Sequence, residues 1–436
     1  MKRKLLILLV LITALLTGCG KDPQTTEGGN SSAPTGADGS LSPTDTPDKN
    51  NDPVVDPDNA CYDVFTGESV WAENYALYHG NDGQLMLFDV ASGLCLPYCF
   101  DASCPHDKHG YTSPGGERVA CISYDFPMTT FSLRDDGSYF YDRGRSTLYH
   151  ADREGRNRKE VARVTDPVNT ATGILSYYYT KDDLFFTYVS NYEVLPMEGS
   201  DGPIPGEWIM GDQLEKNEAG IYRINLNDGT TSYLYRMNEY DSLVSYMHEE
   251  NGHLFFVATW LDVPFDTLPD GFTDYAAYEA ALAEHKYLAV YDYDLAGGEL
   301  RQVAVIERTL AQVYFGDGFY VVTYGLEDIP AELYRTSGEK IRDLDFSISL
   351  CPSMHSDRYL YYQRYVMGAG TYTYGIYDIA ENAVVKEITL DETIAPGPWA
   401  AAVGDAYYFQ GNHTYYVKAE DLWNGDMSKR IELRSN

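Results

Sequence analysis

The sequence predicts an all-β fold, a β-propeller of about seven blades with a small helical insertion; six or eight blades also fit the pattern. The first observation is a short hairpin pattern that recurs along the chain, and the second is an aromatic strand pattern that precedes it. The third is the spacing of the later copies, about 40 residues, which matches one propeller blade. The aromatic residues that mark the copies are Phe88, Tyr149, Tyr222, Tyr291, Tyr334, Tyr377 and Tyr416.

The clearest copy of the hairpin occupies residues 221–235. Apolar and polar residues alternate on both sides of a turn at Asn227-Asp228-Gly229. Alternation with a period of two, interrupted by an Asp-Gly turn, is typical of two antiparallel strands. An aromatic run such as Leu184-Phe185-Phe186 precedes the hairpin. Each repeat is therefore predicted to contain three or four short strands.

Residues 61–436 are predicted to form one propeller domain with insertions at about residues 95–121, 191–218 and 262–285. These insertions account for the wider spacing of the earlier hairpins. The last one contains a run rich in helix-forming residues, from Asp274 to His285, which predicts a short helix within the fourth blade. Residues 61–71 supply a candidate extra strand to close the ring.

The first 60 residues have a different character. Residues 1–18 form a basic start and a short aliphatic run, which is typical of a secretion signal and too short to span a bilayer comfortably. Leu16-Thr17-Gly18-Cys19 resembles the lipobox of bacterial lipoproteins, and this resemblance implies that Cys19 carries a lipid anchor. Residues 19–60 are polar and predict a disordered tether with a reach of roughly 35 Å. The predicted location is the cell membrane, with the protein anchored on its extracytoplasmic face, at the cell surface or in the periplasm.

The chain is strongly acidic. It carries 66 acidic and 32 basic residues, a formal net charge of −34. A surface of this charge repels nucleic-acid phosphates and anionic lipid headgroups. Nucleic acid is therefore excluded as a partner, and attachment to the membrane is predicted to depend on the lipid alone.

The densest chemical feature is the segment 95–121, which contains Cys95, Cys99, Cys104, Cys121 and His106. Besides Cys19 the chain has six cysteines, and an even number in an exported protein favours disulfide bonds. The alternative is a zinc site formed by Cys99, Cys104, His106 and Cys121, since zinc prefers thiolate and imidazole ligands. The spacing Cys-x4-Cys-x-His differs from common zinc-finger patterns. The sequence therefore favours disulfides over zinc and predicts no other cofactor.

Enzyme motifs are incomplete in this sequence. His248 and His253 are one residue too far apart for a metalloprotease helix, and Asn251-Gly252 predicts a turn between them. No catalytic residue is predicted. Trp208 and Trp260 are the candidate ligand-contact aromatics, because each lies in or beside an insertion. Packing within the core or at the rim is the alternative that the sequence favours for both.

Lipobox, polar tether and repeated Leu/Ile-Tyr hairpins together resemble the β-propeller lipoproteins of clostridia and their relatives, which are loosely similar to Tol-type and WD-type propellers. The segment Cys99-x4-Cys104-x-His106 resembles a feature of that group. The resemblance covers nearly the whole chain and implies architecture and compartment, but it carries over no catalytic residue. The sequence therefore predicts a non-enzymatic protein that binds or scaffolds a glycan, a peptide or a partner protein. The alternative is a carbohydrate-active or other hydrolytic enzyme with its site in the propeller funnel.

Overall fold

The computed structural model describes residues 61–62, 69–80, 82–99, 104–109, 111–112, 116, 118–119, 121–124, 130–134, 136–142, 145–152, 155–164, 177–189, 219–236, 241–264, 267–269, 274–307, 311–324, 329–344, 358–366, 369–411 and 413–435. All of them belong to one compact unit, Pro53–Tyr192 together with Met210–Asn436. The predicted signal peptide, Cys19, the tether, the insertion 191–218 and Trp208 lie outside the described residues.

The strands of the first four blades are antiparallel meanders in chain order. The first blade contains Cys61–Tyr62, Val70–Trp71, Tyr75–His79, Leu85–Asp89 and Leu94–Pro97. The second contains Phe131–Arg134, Gly137–Asp142, Thr147–Ala151 and Lys159–Arg163. The third contains Tyr177–Tyr179, Asp183–Val189, Ala219–Asn225 and Thr231–Arg236, and the fourth contains Asp241–Glu250, His253–Leu261, Lys286–Asp294 and Leu300–Ile306.

The remaining blades follow the same order. The fifth contains Gln312–Gly316, Phe319–Thr323, Glu332–Arg335 and Lys340–Asp343. The sixth contains, among the described residues, Tyr359–Val366, Thr371–Asp378 and Ala383–Asp391, and the seventh contains Trp399–Val403, Ala406–Gln410, His413–Lys418 and Ile431–Ser435. Each aromatic residue that marked a repeat in the sequence lies on the strand before last of its blade, so the repeat was identified correctly.

A repeated turn joins the last two strands of four blades. The strand ends in Asp or Asn, whose side-chain oxygen accepts hydrogen bonds from backbone N–H groups two or three residues later; the acceptors are Asp89, Asn225, Asp294 and Asp378. Four residues after each acceptor the chain adopts a positive φ, which glycine tolerates best and asparagine next. These positions are Gly93, Gly229, Gly298 and Asn382, with φ of 68°, 71°, 71° and 55°. The recurrence of Asp or Asn and Gly in the sequence therefore has a backbone cause.

Hydrophobic packing joins each blade to the next. In the part of the chain that the structure describes, each hydrophobic cluster combines buried side chains from two adjacent sheets, from the first and second to the sixth and seventh. One further cluster joins the seventh sheet to the first. In the second blade the last strand Lys159–Arg163 is mostly exposed, whereas the first strand Phe131–Arg134 is buried. The fifth blade shows the same difference between Lys340–Asp343 and Gln312–Gly316, so the first strands of these blades face inward. The described sheets therefore form the closed ring of a seven-bladed propeller, as predicted.

The contact between the first and last blades closes the ring. The hydroxyl of Tyr408 donates to the backbone oxygens of Ala72 and Tyr75, at 2.8 and 3.2 Å, and its ring lies 5.0 Å from that of Trp71. The hydroxyl of Tyr78 donates to the backbone oxygen of Leu433. Within the candidate closing strand, residues 61–71, the described parts Cys61–Tyr62 and Val70–Trp71 instead pair within the first blade. In the described residues the ring is thus closed by side chains and not by a shared strand.

Helices are few and short in the described chain. The helix Tyr275–His285 lies between the second and third strands of the fourth blade, as predicted, and Asp274 caps it by accepting a hydrogen bond from the backbone N–H of Ala277. A second helix, Ala419–Trp423, follows the third strand of the seventh blade, and 3₁₀ turns occur at Ile122–Tyr124 and Met427–Lys429. None of the described helices is long and apolar enough to cross a membrane.

Candidate metal centre

Four side chains with metal-binding chemistry converge in the segment between the first and second blades. The sulfur atoms of Cys99, Cys104 and Cys121 and a ring nitrogen of His106 all lie within 4.8 Å of one another. Cys104 and Cys121 are 7% and 1% exposed, and the other two are partly exposed. We call these four residues the Cys/His cluster.

The packing of Tyr98 positions the start of the cluster. After the outer strand of the first blade, the Tyr98 side chain turns into the core between the first two blades and packs edge-on against Phe131, with ring centroids 5.7 Å apart. Its backbone N–H donates to the backbone oxygen of Leu85 at 2.9 Å. The position of Cys99 is therefore fixed by the fully buried side chain of Tyr98, the residue before it.

A small hairpin brings the distant Cys121 back to the rest of the cluster. Strands Tyr111–Thr112 and Arg118–Val119 pair antiparallel, and Gly116 between them has a φ of 84°. The chain therefore reverses direction between His106 and Cys121, and the His106 Nδ1 atom lies 3.7 Å from the Cys121 sulfur. This reversal explains how a long sequence interval still forms a compact set of donors.

His106 itself has an unusual backbone conformation. Its φ is 56°, in the left-handed region that costs a non-glycine residue conformational energy. The backbone thus places the imidazole beside the three thiols at some energetic cost.

The sulfur of Cys121 has a buried polar neighbour. The hydroxyl oxygen of Ser123, which is fully buried, lies 3.0 Å from it. The Gln84 Nε2 group donates to the same hydroxyl oxygen at 3.0 Å. Because the amide nitrogen only donates, the serine oxygen accepts there, and the serine hydroxyl is the donor to the sulfur whenever Cys121 is a thiolate. A hydroxyl that donates to sulfur stabilises a thiolate.

The segment also docks on the turn between the third and fourth strands of the first blade. The Tyr124 hydroxyl donates to the carboxylate of Asp82, and Lys108 Nζ donates to the backbone oxygen of Asp82 at 2.9 Å. The tyrosine hydroxyl is the main cause that lowers the pKa of Asp82, and the carboxylate raises the pKa of Tyr124 to about 12. Asp82 therefore holds the segment at two points, at Lys108 and at Tyr124.

Replacing Tyr124 with phenylalanine is expected to loosen this segment without unfolding the propeller. Loss of one hydrogen bond to an exposed carboxylate costs on the order of 1 kcal/mol, so backbone amides of residues 104–124 should exchange with deuterium about fivefold faster. Mass-spectrometric hydrogen exchange measures this effect. Protection of the strands Tyr75–His79 and Leu85–Asp89 serves as the internal control and should not change; equal acceleration in both places would contradict the local role.

Cys95 does not join the cluster. It lies on the outer strand of the first blade opposite Phe88, where its thiol interacts with Tyr78 and helps burial to raise the pKa of that phenol. No disulfide bond joins Cys95, Cys99, Cys104 or Cys121 in the structure. Burial raises the pKa of the Cys104 thiol to about 12, so this thiol is protonated at neutral pH when no cation is bound.

The aromatic candidates fall in other places. Trp260 lies on the second strand of the fourth blade, where it is partly buried and packs 5.7 Å from the ring of Tyr287 on the neighbouring strand. This position fits the packing role that the sequence favoured. His248 and His253 lie on two strands joined by the turn Asn251-Gly252, as the sequence predicted.

Sequence reasoning did not anticipate Gln84 and Ser123 as part of this site. Neither residue belongs to a recognisable motif. Gln84 directly precedes the strand Leu85–Asp89 of the first blade, outside the segment that carries the cluster. The sequence did contain a pattern that predicts the hairpin. Pro114-Gly115-Gly116 is typical of a turn and lies between Tyr111-Thr112 and Arg118-Val119.

Comparisons with known proteins show a distant likeness to solved structures. No family model matches this sequence, and no curated protein matches it. Similar solved structures include TolB from Acinetobacter baumannii, at 14% identity and a TM-score of 0.35 over 81% of this chain and 76% of that chain. BamB from Moraxella catarrhalis is 9% identical, with a TM-score of 0.37 over 80% of this chain and 80% of that chain. An oligogalacturonate lyase from Vibrio parahaemolyticus is 9% identical, with a TM-score of 0.40 over 83% of this chain and 85% of that chain. With such low values, no ligand or activity is carried over to this chain.

Proposed function

We propose that this protein is a lipid-anchored, extracytoplasmic propeller that binds or scaffolds a glycan, a peptide or a partner protein without chemical turnover. The observation that carries the proposal is the closed ring of blades, in which the first and last are joined by buried side chains. A rigid ring supports connecting loops, and loops on a rigid scaffold are where binding residues concentrate. The ring thus acts as a frame for recognition.

The N-terminal sequence supports the proposed location. A basic start, an aliphatic run and Leu16-Thr17-Gly18-Cys19 precede a polar stretch of about 40 residues. Lipid on Cys19 would hold the ring at the membrane, and the polar stretch would hold it away from the headgroups. The net charge of −34 favours neutral or cationic partners and disfavours anionic ones.

The location is tested with the full chain and its Cys19→Ser variant in a bacterial host that processes lipoproteins. The wild-type chain should incorporate a radiolabelled fatty acid, remain in the membrane fraction and be digested when protease is added to cells whose outer surface or periplasm is accessible. The serine variant should lose the label completely. A wild-type chain without label, or one that is protected from protease in the cytoplasm, would contradict the proposal.

The binding role is tested with the purified full chain on arrays of neutral glycans and of basic peptides. We expect a ligand with a Kd in the micromolar range, about −8 kcal/mol, that is recovered unchanged after incubation. Mass spectrometry of the recovered ligand distinguishes binding from catalysis. Release of a cleaved glycan or peptide would contradict the non-enzymatic role.

A further inference from the structure

We propose that Cys99, Cys104, His106 and Cys121 bind one zinc ion in a closed, structural site. This inference goes beyond the proposed binding function and does not depend on which partner the propeller recognises. It rests on the convergence of four donor atoms, on their number and type, and on the buried groups that surround one of them.

The donor geometry fits a single ion. Four atoms that all lie within 4.8 Å of one another have a common point within about 2.9 Å of each of them, and tetrahedral zinc sites place sulfur at about 2.3 Å and nitrogen at about 2.0 Å. A contraction of less than about 1 Å for each ligand therefore completes the coordination. Side-chain rotation on this scale leaves the backbone of the segment in place.

The number of thiols favours a metal ion over a disulfide. The cluster contains three cysteines, Cys99, Cys104 and Cys121, and one bridge would use two of them and leave the third beside it. Neither Cys95 nor any other described cysteine is part of the cluster. A zinc ion uses all three sulfur atoms and the imidazole at once.

The donor types favour zinc over other common cations. Thiolate and imidazole ligands in a tetrahedral arrangement are characteristic of Zn²⁺, whereas Mg²⁺ and Ca²⁺ require oxygen ligands. Four protein ligands leave no open position for water or substrate, which distinguishes structural zinc from catalytic zinc. Binding replaces the protons of three thiols with one Zn²⁺, and the ion and its thiolates together carry a charge of about −1.

Buried groups around Cys121 fit a ligand of this charge. The Ser123 hydroxyl lies 3.0 Å from the Cys121 sulfur and accepts from Gln84 Nε2 at 3.0 Å, so its proton is available to donate to a Cys121 thiolate. Groups that donate to metal-bound thiolates orient the ligand and offset its charge, and their loss typically weakens binding 10- to 100-fold. Ser123 and Gln84 are therefore positioning residues for the ion.

The ion would fasten the inserted segment to the first blade. Cys99 follows the outer strand of that blade, and Cys121 precedes the 3₁₀ turn Ile122–Tyr124 that docks against Asp82 and Gln84. One zinc ion would thus join Cys99 and Cys121 at the two ends of the inserted segment. The ion would stabilise this segment, which is too short to form much core of its own.

The test measures metal content and stability in the full chain carrying Cys19→Ser, exported and purified in zinc-containing buffer without chelator. Inductively coupled plasma mass spectrometry should find about one zinc per chain and less than a tenth as much iron or copper. Cobalt substitution should produce the intense near-ultraviolet absorption of sulfur-to-cobalt charge transfer together with tetrahedral visible bands.

Three variants distinguish loss of zinc binding from loss of the fold. His106→Asn removes a ligand but keeps a residue that tolerates positive φ, and it should lower zinc affinity at least 100-fold. Ser123→Ala should lower it about 10- to 100-fold while the cobalt spectrum stays tetrahedral. Cys95→Ser, the matched control outside the cluster, should retain wild-type zinc content and affinity.

Several results would overturn the proposal. A wild-type chain that retains no more zinc than His106→Asn would contradict it, as would a disulfide that involves Cys99, Cys104 or Cys121 in peptide mapping. Equal loss of zinc from the Cys95→Ser control would also contradict it. If the ligand variants fail to fold, competition of the wild-type chain with a chromophoric chelator gives the affinity directly, and a Kd above about 1 μM would reject a structural site.

Discussion

Replacing Tyr408 with alanine is expected to lower the free energy of unfolding by about 3–5 kcal/mol. The ring of Tyr408 is fully buried between the seventh and first blades, against Trp71 and Tyr416. Its removal leaves a cavity at the contact that closes the ring and removes the hydroxyl that donates to the backbone oxygens of Ala72 and Tyr75. Urea unfolding followed by tryptophan fluorescence measures the change.

Tyr408→Phe is the matched control, because it keeps the ring and removes only the hydroxyl. The Ala72 backbone oxygen then loses this donor, which costs about 1–3 kcal/mol, whereas the Tyr75 oxygen still accepts from the Ala72 N–H at 2.9 Å. The order wild type, phenylalanine, alanine is therefore expected in decreasing stability. A cost below about 1 kcal/mol for alanine would mean that this contact does not close the ring.

Gly375→Ala is expected to cost about 2–4 kcal/mol, because the site has no room for a methyl group. Gly375 pairs directly with Tyr362 on the neighbouring strand. A Cβ atom at position 375 would lie 2.1 Å from Cζ and 2.3 Å from the hydroxyl oxygen of Tyr362. The tyrosine ring, which is buried and donates to Glu387 at 2.6 Å, would have to leave its position between the fifth and sixth blades.

A double-mutant cycle tests this cause. Tyr362→Ala alone should cost about 3–5 kcal/mol, and Gly375→Ala should add little in the absence of the ring. The sum of the single effects should exceed the double effect by about 2 kcal/mol or more. Additive effects, measured by the same urea unfolding, would show that the glycine is required for another reason.

The fold could be predicted because its signals are local. Alternation of side chains and an aspartate or asparagine followed four residues later by glycine, as at Asn225 and Gly229, are set within a single hairpin. Counting such hairpins yielded the blade number. The closure of the ring was less predictable, because Tyr408 and Trp71 are far apart in sequence and no pattern couples them.

The candidate site was only partly predictable, for a related reason. The sequence identified the cysteines and His106, but the spacing between them argued against a shared ion. The four donor atoms nevertheless lie within 4.8 Å of one another, with His106 in a positive-φ conformation two residues after Cys104. The hairpin Tyr111–Thr112 with Arg118–Val119 returns the chain to place Cys121 beside them. Sequence also grouped Cys95 with the cluster, whereas its strand pairing with Phe88 and its interaction with Tyr78 keep it in the first blade.

X-ray diffraction from crystals of the zinc-loaded protein, recorded on both sides of the zinc absorption edge, tests the seven-bladed ring and the proposed zinc site most directly. We expect a ring of seven sheets and one anomalous peak within bonding distance of Cys99, Cys104, His106 and Cys121. Density for a disulfide between two of these cysteines, with no anomalous peak beside them, would contradict it.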